Sequence, residues 1–257
     1  MITLTTDFGL KDPYVAEMKG VILGINPDAK VVDVSHSVDK FDVRMATFML
    51  ASAAPYFPDG TVHLAVVDPG VGTARRAIVV QTKRGFFVGP DNGVLMLAAQ
   101  AQTIEHIYEL TNSKYMLPEV SGTFHGRDIF APAAAYIDKG VNPEVFGPEI
   151  ADPIIPKFTH VEQQNGVLHG EVLHIDGFGN VITNLTRNML PQTSLLKVVI
   201  HSLSFQLALA KAYGQSKPLE VTALIGSHGF LELALNQGSF ADKYQINIGC
   251  QVEVAPA

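Results

Sequence analysis

A chain of 257 residues, 47% hydrophobic and 17% charged, can build a sizeable core, and this composition excludes a disordered polymer. The formal net charge of −7 argues against nucleic acid as a partner, because phosphate binding needs a basic surface. A single cysteine, Cys250, excludes an intramolecular disulfide framework and a multi-cysteine metal site.

In chain order, residues 1–6 form a short β-branched run. Asp12 and Pro13 then open a helix, as N-cap and first helical residue, that runs to about residue 24. Residues 30–34 read as a buried strand. Residues 42–54 read as a helix with Val43, Ala46, Met49, Leu50 and Ala53 on one stripe. A third strand, 61–67, ends in Asp68-Pro69-Gly70. Residues 77–81 and 85–88 predict a hairpin, 93–101 a short helix, and 127–138 an amphipathic helix. This alternation predicts a mostly parallel sheet with helices on its faces. Pro143, Pro148, Pro153 and Pro156 then punctuate a linker. Beyond it the signals are strands, at 167–175, 180–183, 195–200, 219–225 and 251–254, separated by Gly- and Asn-containing turns. The expected class is α/β: an N-terminal, mostly parallel α/β sandwich over 1–156 and a smaller C-terminal antiparallel β-barrel-like domain over 164–257. No stretch approaches the about 18 uninterrupted apolar residues of a membrane span. Asp7, Lys11 and Asp12 interrupt any leader-like apolar start, so a cytoplasmic protein with no membrane partner is expected.

Polar residues gather at the carboxyl ends of the predicted strands, where open α/β sheets bind ligands. Asp7, in Thr5-Thr6-Asp7-Phe8-Gly9, suits the two hydroxyls of a ribose, and suits equally well a turn that caps the next helix. Asp68 leaves a buried strand and enters a Gly-rich loop followed by Arg75 and Arg76. One of those arginines can hold Asp68 ionised and position a water; a tight turn with a structural ion pair explains the same letters. The loop lacks the Lys-Ser/Thr ending of a phosphate-binding P-loop. His125, in Thr123-Phe124-His125-Gly126-Arg127-Asp128, is the residue type most easily tuned to exchange protons near neutral pH. Arg127-Asp128 reads as a helix-start capping pair. Asp176-Gly177-Phe178-Gly179-Asn180 can hold an amino-acid group and a planar base, or be a plain hairpin turn. Gly226-Ser227-His228-Gly229 and Asn236-Gln237-Gly238 offer backbone donors from polar loops.

Taken together these segments resemble the S-adenosylmethionine hydroxide adenosyltransferases, hydrolase relatives of the fluorinase and chlorinase. The likeness covers nearly the whole chain through TTDFG, VVDPGVGTARR, GPDNG, TFHGRD, IDGFGNVITN and GSHGFLELALNQG. It implies a small-molecule enzyme that splits S-adenosylmethionine into adenosine and methionine by in-line attack of an activated water at C5′, with no metal and no cofactor. It implies a homotrimer with active sites at the subunit interfaces. The family's Asp-Arg-His set falls on Asp68, Arg75 and His125, although Arg76 adjoins Arg75 and the motif does not separate them. Asp7 falls on the ribose, and Phe8 and Phe124 on the substrate. Asp176 and Ser227 fall on the methionine part, and Phe178, Asn180, Asn236 and Gln237 around the adenine. Two proton routes are open: His125 and Asp68 as acceptors, or Arg75 and His125 stabilising a hydroxide.

Three rivals remain. A nucleoside-binding module without turnover is opposed by the intact Asp68, Arg75 and His125. A halogenase is opposed by the carboxylate of Asp68, where the halide-using branch has tyrosine, since a carboxylate repels a halide. A metal-dependent hydrolase would have to be built from Asp7, Asp68 and His125.

Overall fold

The computed structural model describes all residues, 1–257, which divide into two units, Met1–Pro156 and Lys157–Ala257. No helix is long and apolar enough to cross a membrane.

The first unit contains strands β1 (Ile2–Thr6), β2 (Val31–Ser35), β3 (Thr61–Val66), β4 (Ala77–Thr82), β5 (Gly85–Pro90) and β6 (Ile104–Glu109). They form one sheet in the order β2-β1-β3-β5-β4-β6. β1 pairs in parallel with β2 and β3, and β3 with β5, whereas β4 runs antiparallel to both its neighbours. Its helices are α1 (Tyr14–Ile25), α2 (Val43–Ala53), α3 (Met96–Ala101) and α4 (Ala131–Asp138). Two apolar cores flank the sheet. Met18 and Ile22 of α1 and Ala134 of α4 pack with Leu64 and Val66 on one face. Ala46 and Leu50 of α2 and Ala98 of α3 pack with Ala65 and Val67 on the other. Alternate side chains of one strand therefore enter different cores, which is why 61–67 reads as unbroken apolar sequence rather than as an alternation.

The second unit holds β7 (Glu162–Gln164), β8 (Val167–Ile175), β9 (Val181–Thr186), β10 (Leu196–Ile200), β11 (Leu203–Leu207), β12 (Leu209–Ala210), β13 (Val221–Ile225), β14 (Phe230–Leu235), the short helix α5 (Phe240–Tyr244) and β15 (Gln251–Pro256). The order β11-β10-β15-β8-β9-β14-β13-β12, with β7 on the edge of β8, makes a nearly closed, barrel-like sheet. Every pairing is antiparallel except that of β12 with β13. Val172, Val181, Leu231, Leu233, Phe240, Val252 and Val254 fill its core.

Some local expectations change. β2 is an edge strand, paired with β1 alone and half-exposed rather than buried. Pro13, not Asp12, occupies the cap of α1, and no side chain caps that helix. The helix expected from 127 begins as a π-helical turn, Gly126–Phe130, before continuing as α4. β6, β7, β11, β12 and β14 were not legible as strands. β6 carries exposed Glu105 and His106, and β14 places Glu232 in an otherwise apolar run, so neither shows a clean period of two.

Candidate active site

The parallel register pairs Thr6 of β1 with Val66 of β3, so Asp7 and Asp68 leave neighbouring strands at the same end of the sheet. Both line one cavity of about 600 Å³, together with Phe8, Phe124 and His125. Asp7 is buried. Its Oδ2 accepts the backbone N–H of Phe41 at 2.9 Å, and the Lys40 ammonium donates to its carbonyl. The turn beneath it is fixed by a chain of side chains. Lys19 donates to Asp33 at 2.7 Å, Asp33 faces His36 Nε2 at 3.1 Å, and His36 Nδ1 meets Thr6 Oγ1 at 2.8 Å. Thr6 Oγ1 in turn accepts the N–H of Phe8 at 3.3 Å.

Asp68 and Arg75 close the Gly-rich loop on itself. Arg75 Nε donates to Asp68 Oδ1 at 3.1 Å, and Nη2 donates to Oδ2. This forked pair is nearly dry, with the side chains 7% and 5% exposed, and the guanidinium lies 5.2 Å from the centre of the Phe130 ring. The other hydrogen of Nη2 points to His125 Nδ1 at 3.1 Å. The three residues therefore sit in the order Asp68, Arg75, His125, with the arginine in the middle. An arginine only donates, so Nδ1 of His125 is its acceptor and the neutral ring carries its proton on Nε2. Burial and the Arg75 charge both push the His125 pKa down, against the pull of Asp68 and Asp128.

Gly72 explains how the two loops meet. At φ +75°, a Cβ on it would lie 2.2 Å from the carbonyl oxygen of Gly122, in the segment that leads to His125. Only glycine permits that approach. On the far side of the same segment the fully buried Asp128 accepts the N–H of Ser121 at 2.8 Å and is paired with Arg127, which also reaches Glu17 at 2.8 Å. Arg127-Asp128 therefore clamps a loop and does not cap a helix.

Arg76 points elsewhere. It donates to Asp91 at 2.9 Å and to Asp152 at 2.8 Å, while Asp91 accepts the N–H of Ile154. It fastens the end of the first unit and does not touch Asp68 or His125. Asp7, Asp68 and His125 form no three-residue group arranged to hold a metal ion.

In the second unit Asp176, Phe178, Asn180, Asn236 and Gln237 line another cavity, of about 590 Å³, with Tyr213 and Ser239. Ser227 lies in the exposed β13–β14 turn and does not line it. Asp176 is a turn-former as well: Oδ1 accepts the N–H groups of Phe178 and Asn180, and Oδ2 the side-chain amide of Asn180, each at 2.9 Å. Phe178 is 81% exposed. Asn236 is held by the carbonyl of Ser216 at 2.6 Å.

Residue patterns missed several cavity neighbours. Tyr14 packs edge-to-face with Phe8 and Phe124, ring centres 5.9 and 5.2 Å away. Phe41, at φ +66°, is largely exposed beside Asp7. A bulky residue ahead of a helix cap was the available signal for Phe41; Tyr213, on the wall of the second cavity, gave none.

A family model described as the SAM hydroxide adenosyltransferase N-terminal domain matches residues 2–147, and one for the C-terminal domain matches 170–253. An (R)-S-adenosyl-L-methionine hydrolase of Salinispora arenicola is 38% identical over 256 residues, covering 98% of this chain and 97% of that protein. A fluorinase of an Actinoplanes species is 28% identical over 291 residues, covering 100% of this chain and 98% of the fluorinase. A crystal structure of an uncharacterized conserved protein from Thermotoga maritima superposes with a TM-score of 0.88 at 39% identity, over 99% of this chain and 100% of that one.

Proposed function

The chain belongs to the SAM hydroxide adenosyltransferase family, and from that premise we infer that it is an enzyme that hydrolyses S-adenosyl-L-methionine to adenosine and L-methionine. The relatives' name specifies the (R)-sulfonium epimer, and we extend that preference to this chain. The observation that carries the reading is the nearly dry Asp68–Arg75 pair, bonded to His125, beside the cavity that also holds Asp7.

The sulfonium leaves as a neutral thioether, so no acid is needed on the leaving group. The difficulty lies in the nucleophile, because free water has a pKa of about 15.7. His125 Nδ1 is occupied by Arg75, which leaves Nε2–H as the group it offers. We therefore assign His125 and Arg75 to stabilise the hydroxide-like oxygen as it develops. Asp68 keeps lone pairs beyond the two that Arg75 uses and takes the proton. In-line attack at C5′ from a fixed water is helped by positioning, which supplies about 7–11 kcal/mol in favourable cases. Asp7 is assigned to the ribose hydroxyls, flanked by Phe8 and Phe124. Asp176, Phe178, Asn180, Ser227, Asn236 and Gln237 are assigned to the methionine and adenine ends, with no metal or cofactor. We propose the homotrimer as well; its mass in solution by light scattering checks it.

The test incubates the purified protein with each S-adenosyl-L-methionine epimer, with and without chelator and chloride, and separates the products by chromatography. Adenosine and methionine from the (R)-epimer, unaffected by either addition, is the expected result. Chloride-dependent 5′-chloroadenosine would make the chain a halogenase. Intact substrate with retained nucleoside would make it a binding module.

A further inference from the structure

One ordered motif has no use in the mechanism above: Gly89-Pro90-Asp91-Asn92-Gly93, at the end of β5 on the way to α3. None of these residues lines the cavity of Asp7. They grip the loop between Asp68 and Arg75 at both of its ends instead. At the first end the Asn92 side-chain amide donates to the carbonyl of Val67 at 2.9 Å. Val67 is fully buried and stands one residue beyond Val66, the last residue of β3 in register with a neighbouring strand. The strand ladder has ended there, and a buried carbonyl takes its donor from elsewhere. Asn92 Oδ1 accepts the N–H of Val94 at 3.1 Å, so one orientation of the amide serves both partners and makes Nδ2 the donor to Val67. At the second end the N–H of Asp91 donates to the carbonyl of Arg76 at 2.9 Å. That carbonyl is also the acceptor of Arg75 Nη1 at 3.1 Å.

Asp68 follows Val67 by one peptide, so the Asn92 hydrogen bond fixes the plane from which the Asp68 side chain leaves. Arg76 follows Arg75, so the Asp91 N–H fixes the carbonyl on which the remaining arm of the guanidinium rests. Between the two anchors the loop is tied only by its own turns, Val71 N–H to the Asp68 carbonyl and Thr73 N–H to the Gly70 carbonyl, each at 3.2 Å. The Asp68–Arg75 fork and its bond to His125 therefore hang between these two points. A misplacement of about 1 Å at a reacting group costs about a hundredfold in rate, so the anchors matter although they lie behind the site.

We propose that Asn92 is a positioning residue for the attack by water: through the Val67 carbonyl it sets the plane of Asp68, and through Asp68 the fork of Arg75 on His125. The proposal rests on the hydrolase reading for the reaction that is being positioned. Asp91 supplies the second anchor with its backbone, while its carboxylate holds Arg76.

The experiment compares wild type, Asn92→Asp, Asn92→Ala and Arg76→Lys by steady-state kinetics with S-adenosyl-L-methionine, by thermal melts and by an NMR titration of the His125 ring. Asn92→Asp keeps the acceptor for Val94 and loses the donor to Val67; Asn92→Ala loses the donor without adding charge. Both are expected to lower kcat about tenfold to a hundredfold with KM near the wild-type value, because the lost bond lies behind the groups on the water. Arg76→Lys loosens the same turn through the Asp91 side chain and keeps its kcat. The His125 pKa is held down by burial and Arg75 against the pull of Asp68 and Asp128. In Asn92→Ala it is expected to rise as the guanidinium moves off Nδ1. A lower Tm with kcat or the His125 titration unchanged in Asn92→Ala would overturn the proposal in favour of a purely structural turn. A loss in Asn92→Asp alone would trace to the added charge and overturn it equally. Absent wild-type turnover, with the His125 shift present in Asn92→Ala, would instead overturn the hydrolase reading and leave the anchoring of the fork standing.

Discussion

Replacing each of two adjacent arginines by lysine separates catalysis from scaffolding. Arg75 uses four of its five N–H donors: Nε and Nη2 on Asp68, Nη2 again on His125, and Nη1 on the carbonyl of Arg76 at 3.1 Å. A lysine ammonium at that position is a point donor. It can stay near Asp68, and it cannot hold the carboxylate from two sides while bridging to His125. The loss at the attacking oxygen is about that of one preorganised donor, roughly 2.7–4 kcal/mol, or about 10²–10³ in kcat. Arg75→Lys should therefore lower kcat by that factor while KM for S-adenosyl-L-methionine moves little, because the role proposed for the three residues is on the water and not on the substrate. Arg76→Lys should leave kcat near wild type. Its partner Asp91 is nearly dry and Asp152 is 82% exposed, so the weakened clamp costs about 1–2 kcal/mol and about 2–8 °C of Tm. Adenosine release followed by chromatography, with thermal melts of both variants, reads these effects. Wild-type turnover in Arg75→Lys, or an equal loss of turnover in Arg76→Lys, would refute the assignment.

Two further predictions concern the frame of the site. Gly72→Ala should depress kcat and Tm together, since its Cβ meets the Gly122 carbonyl and a positive φ adds about 1–2 kcal/mol. Gly70→Ala, whose Cβ would have only ordinary contacts at 3.5 Å or more, should behave as wild type; equal effects of the two would remove the loop-contact argument. His63 in β3, stacked on Phe87 and bonded to Thr3, has its pKa pushed down to about 4 by burial and by Arg84. The unfolded chain takes up a proton near 6.5 that the folded chain refuses, so this contribution to stability is complete above pH 6.5 and lost as pH falls toward 4. The loss is about 3 kcal/mol at 1.36 kcal/mol per pH unit. Urea midpoints of His63→Gln should fall less steeply over that window, and parallel curves would show that His63 does not titrate there.

The fold class was legible because burial imposes period and composition on long elements. Residues 61–67 are apolar throughout since alternate side chains enter two cores, and Asp42 announced the start of α2 by its hydrogen bond to Met45. Edge and mixed strands were not legible. β6 and β14 carry polar residues whose burial or exposure depends on neighbours distant in sequence, and no local pattern encodes such neighbours.

The sequence by itself determined the ordered motifs, and through them the family and the candidate residues Asp7, Asp68 and His125. Local chemistry sufficed there, because a carboxylate after a buried strand and a histidine between glycines are recognisable without coordinates. Only the tertiary structure decided that Arg75, and not Arg76, joins Asp68 to His125, that the arginine stands between the other two, and that Glu232 is a buried carboxyl group bonded to Tyr213. The reason is geometric: consecutive residues of a loop send their side chains in different directions. Residues 50 apart, such as Arg75 and His125, meet only when the Gly72–Gly122 contact brings their loops together.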